Sequence, residues 1–89
     1  MDNLEQTVQR GNEARQILVN PVFVEAQSRM KQKYMDEILK SADADTAKRE
    51  SAFLKIKVLT EVVSELGIIE QNGVKAEHEV KVRKRRAVE

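Results

Sequence analysis

Only four residues of this 89-residue chain, three glycines and one proline, break regular structure through their own backbone chemistry. Between them the chain must be continuous regular structure or polar connection, and the apolar spacing decides which. From about Asn3 to Val19, Leu4, Val8, Gly11, Ala14 and Leu18 recur at three- and four-residue intervals, with Ile17 widening the stripe. That period predicts a helix with one apolar face. Gly11 lies inside it and costs about 1 kcal/mol relative to alanine. It weakens the helix, the simpler account, or admits a neighbouring backbone.

Asn20-Pro21 is the sharpest boundary. The Asn20 side chain suits a helix N-cap, proline's fixed φ suits the first helical position, and proline pushes the residue before it out of the α region. The first helix should therefore stop at Asn20 and a second should run from Pro21 to about Ser41. Phe23, Ala26, Met30, Tyr34, Ile38 and Ala42 form its stripe, flanked by Met35 and Leu39. Glu25–Arg29 and Asp36–Lys40 pair charges at i,i+4 on its polar side.

Asp43-Ala44-Asp45-Thr46 reads as a connection in which Asp45 or Thr46 caps the next helix. Glu50 stands four residues after Thr46, one too many for a capping box. A third helix is predicted from about Ala47 to Gln71, with Ala52, Ile56, Leu59, Val63 and Leu66 in line and Phe53, Val58, Val62 and Ile69 broadening the face. Asn72-Gly73 looks like a left-handed stop, and Gly67 is an earlier one. The β-branched residues of Ile56–Val63 also admit a strand, but spacing and length favour helix. The prediction is an all-α fold: an antiparallel hairpin of two long helices, a shorter N-terminal helix packed across or beside it, and a flexible basic tail. The helical domain spans 1–73 and the tail 74–89. The third stripe is wider than one partner needs, so either the first helix or a second copy of the chain covers the excess.

The tail breaks the charge balance. Residues 1–73 carry ten Lys/Arg against twelve Asp/Glu, net −2, while residues 74–89 carry six against three, net +3. Lys81, Arg83, Lys84, Arg85 and Arg86 put five cations into a window of six. Such a cluster draws DNA, through salt-dependent phosphate contacts, or an acidic protein face. The blander reading is a charged end that keeps a small protein in solution. No aromatic side chain is interleaved to stack on bases, and no helix-turn-helix unit is present to read a groove. Valines alternate with charges from Val80 onward, which leaves an added edge strand as a minor possibility.

Signatures of chemistry are missing. Zero cysteines exclude disulfides, thiolate catalysis and cysteine-based zinc sites. No glycine spacing makes a phosphate loop. His78, the sole histidine, is flanked by Glu77 and Glu79, which point in other directions, so a metal site is not expected. Asp43 and Asp45 read as turn and cap residues. No catalytic residue, cofactor or metal is assigned, and no enzyme activity is expected. With no run of 18 apolar residues and an acidic start, Met1-Asp2-Asn3-Leu4-Glu5, the chain is expected to be a soluble intracellular protein that neither spans a membrane nor carries a secretion signal.

Arg10-Gly11-Asn12-Glu13-Ala14 through Ile17-Leu18-Val19-Asn20-Pro21 to Ala26 resembles a pattern of small helical proteins from tailed phages and prophages. There an RG-x-x-A-x-x-L/I-L-x-N/D-P segment precedes two long helices, the second ending near a glycine. The resemblance covers roughly residues 10–73 and carries no catalytic residues with it. It implies a phage accessory of head assembly or DNA packaging, in the host cytoplasm or the virion. Small terminase subunits, which are helical, oligomeric and bind DNA through basic segments, offer a model for the role, although this sequence has no separate DNA-binding domain. The partners this implies are a phage assembly component or a second copy, with DNA at the tail. Rival roles are an inhibitor of a host nucleic-acid enzyme and a structural virion component.

Overall fold

The Asn20 side chain caps the helix after it, as the Asn-Pro pair predicts. Its Oδ1 accepts from the Val22 and Phe23 amides at 2.9 and 3.1 Å, and its own backbone is extended. The computed structural model describes residues 3–88; Met1-Asp2 of the acidic start and Glu89 of the tail lie outside them. Three helices follow one another: α1 (Leu4–Leu18), α2 (Pro21–Lys40) and α3 (Thr46–Val88). No strand occurs among the described residues. The fold is all-α, with two long helices and a shorter N-terminal one.

Two compact units share α3. One combines Asn20–Ser64, so that α2 and the first part of α3 make the expected hairpin. The other joins α1 to the part of α3 from Glu65 onward.

In the hairpin unit, Ala52 and Leu59 are buried and Ile56 is half-buried, on the stripe that the spacing identified. The turn between the helices is held by a residue that periodicity could not single out. One Arg49 guanidinium nitrogen donates to the Ala42 carbonyl at 2.6 Å and to Ser41 Oγ at 3.2 Å. The other donates to the Asp43 carbonyl at 2.9 Å. A planar fork with several donors can tie three successive turn residues at once. Asp45 rather than Thr46 is the cap, with its Oδ1 accepting from the Lys48 amide at 3.3 Å.

In the other unit, Gly11 of α1 faces Gly73 of α3, and both are buried, as are Ala14 and Ala76. A β-carbon built on Gly11 would lie 2.7 Å from the Gly73 Cα, and one built on Gly73 would lie 2.7 Å from the Gly11 Cα. Glycine here admits a close crossing, the alternative to a merely weakened helix.

The predicted stop at Asn72-Gly73 is corrected by this crossing. A left-handed stop needs a positive φ, and no described residue has one. Gly73 keeps a helical backbone, its missing side chain makes room for α1, and α3 continues to Val88. Gly67 does not end the helix either. The basic segment is the helical end of α3, not a separate tail, and Ala76 and Val80 on it are buried and half-buried.

Candidate functional site

The cationic residues occupy the last two turns of α3, where the helix leaves its final carbonyls without intrahelical partners. Lys81, Arg83, Lys84, Arg85 and Arg86 are all exposed. Successive helical residues step round the axis by about 100°, so Arg83 to Arg86 encircle the helix and no flat surface meets all of them. Lys81 and Lys84, three apart, share a side. They border a shallow hollow with Glu77 and Val80 of α3 and Glu5 and Val8 of α1.

Two of the five cations already have carboxylate partners one turn back. Lys81 Nζ lies 3.6 Å from Glu77, and Arg83 Nε donates to Glu79 at 3.3 Å. Acid placed four residues before base is the favourable order on a helix. All four side chains are about half exposed or more, so each pair contributes only about 0.3–0.5 kcal/mol and yields readily to a competing anion. Lys84, Arg85 and Arg86 form no ion pair among the described residues. Cations here also complement the negative end of the helix dipole, so the same charges steady the final turns.

The second feature is apolar. The buried apolar side chains among the described residues are Ala14, Ala52, Leu59 and Ala76, and no large one is fully enclosed. Phe53, Leu54, Val58 and Val62 on α3 remain 43–58% exposed, and Val22, Val24, Met30, Met35 and Leu39 on α2 remain 41–75% exposed. The broad stripe predicted for the third helix is therefore uncovered along its flank within the hairpin unit.

His78 is exposed on α3 with its two glutamate neighbours directed elsewhere round the helix. No group of three or more histidines or carboxylates among the described residues could hold a metal ion. No described helix is long and apolar enough to cross a membrane.

Sequence reasoning found the cations but missed their partners, since it treated residues 74–89 as lying beyond the helix. The i,i+4 spacing of Glu77–Lys81 and Glu79–Arg83 was the available signal. Arg49 also left a trace, because a base in the first turn of a helix opposes the dipole and so invites a local explanation. Against protein-family models, curated proteins and solved structures, the chain matches none.

Proposed function

We propose that this chain is a non-enzymatic assembly component. Its apolar helix faces dock on protein, and its cationic helix end engages a polyanion, with DNA as the favoured one. The observation that carries the reading is the inverted distribution of apolar groups. Among the described residues, alanines and a single leucine are buried, while larger aliphatic and aromatic side chains lie on the surface. Scattered exposed apolar residues are ordinary in a monomer, but many on neighbouring faces mark interaction surfaces.

The setting we propose, head assembly or DNA packaging in a tailed phage, rests on the resemblance of Arg10–Ala26 alone. The cationic end supplies the second point of attachment of such a component. Lys84, Arg85 and Arg86 project from an ordered helix and have no ion pair among the described residues.

Duplex DNA binding by the full chain at about 50 and 200 mM salt tests this end. Replacing Lys84, Arg85 and Arg86 by alanine should weaken binding and lower the salt slope by up to about three, one for each phosphate no longer neutralised. Equal affinity of variant and parent at both salts would remove the cationic end from the proposal.

A further inference from the structure

We propose that the groove on the α2–α3 hairpin is the seat of a second copy of this chain, which names the protein partner in the assembly reading above. The groove measures about 520 Å³ and lies wholly within one unit. Met30 and Tyr34 of α2 form one wall, Leu54 and Val58 of α3 the other, and buried Leu59 the floor. Tyr34 is fixed at the rim by the Lys55 ammonium, 5.4 Å from its ring centroid. A held aromatic beside an apolar hollow is the composition of an interface centre.

Two observations favour a second copy. Met30, Leu54 and Val58 on the groove walls are 41–58% exposed, so the hairpin unit leaves this apolar surface open. The charges on its lining are one carboxylate, Glu50, and one ammonium, Lys55. A two-fold axis can bring such a neutral, two-signed rim against itself, whereas a highly charged partner would find no complement there.

Sedimentation equilibrium of the full chain, from about 1 μM to 1 mM, reads the outcome directly. The parent should be dimeric over most of that range. The double variant Leu54→Lys/Val58→Lys should raise the dimer dissociation constant at least about a hundredfold, as expected when central interface side chains are replaced by like charges. Both positions are more than half exposed, so helicity by circular dichroism should stay at the parental value. Leu39→Lys, on the opposite side of α2 from Met30 and 75% exposed, should leave dimerisation unchanged. A parent that stays monomeric throughout overturns the inference, as does a dimer indifferent to the double variant or one that Leu39→Lys dissociates. If the parent is monomeric yet still binds DNA through Lys84–Arg86, the groove proposal falls alone and assembly on a different protein stands. A dimer that ignores DNA gives the reverse result.

Discussion

Gly11 and Gly73 each have the other's Cα 2.7 Å from where a β-carbon would sit, whereas Gly67 meets nothing within 4 Å. The same glycine-to-alanine change should therefore act with opposite signs along one chain. At all three sites alanine gains about 1 kcal/mol of helix propensity. At Gly67 nothing opposes that gain, and the melting temperature should rise by about 4–8 °C. At Gly11 or Gly73 a methyl group strikes main chain, which cannot rotate aside. The crossing must open at a cost of about 1–3 kcal/mol or more, leaving a net loss. Thermal melts of the three variants check the signs, and a stabilised Gly11→Ala would contradict the close crossing. Arg49 makes the second residue-scale prediction. Arg49→Ala removes the donors that hold Ala42 and Asp43 and should cost about 1–3 kcal/mol in urea unfolding. Arg49→Lys should recover less than half of this, because a single ammonium cannot replace a planar fork.

Helices show how much of this fold the sequence displayed. The α1–α2 boundary was legible because Asn20-Pro21 combines a cap acceptor, a fixed φ and a steric bar on the preceding residue. These three effects act locally and agree. The hairpin was legible from the Ala52–Ile56–Leu59 line for the same reason. The end of α3 was not. Glycine is ambiguous in isolation: the same missing side chain permits a left-handed turn or a close crossing, and the choice was made by Gly11, sixty-two positions earlier. The cations of the candidate site were visible as composition, but their disposition depended on that undetected continuation of the helix. Glu77 and Glu79 hold Lys81 and Arg83 against the helix, so they compete with any incoming phosphate. Glu77→Gln/Glu79→Gln should tighten DNA binding severalfold at low salt through removal of two negative charges, while lowering helicity slightly through loss of two i,i+4 pairs. Unchanged or weaker DNA binding in this variant would contradict phosphate contact at the end of α3.

At the scale of the whole molecule, a second copy seated on the groove would cover Leu54 and Val58, each more than half exposed in the hairpin unit, and would add their burial to the stability of the fold. The melting temperature should accordingly rise with protein concentration, by mass action on a folded dimer, and lose that dependence in Leu54→Lys/Val58→Lys. A concentration-independent parent would contradict self-association. The alanine-lined interior has a further thermal signature. Little hydrocarbon leaves water when the enclosed apolar side chains among the described residues are three alanines and one leucine, so an isolated protomer should unfold with a heat-capacity increment below the usual 12–15 cal/mol/K or so per residue. Its transition should be broad, its stability only weakly curved with temperature, and its urea slope shallow.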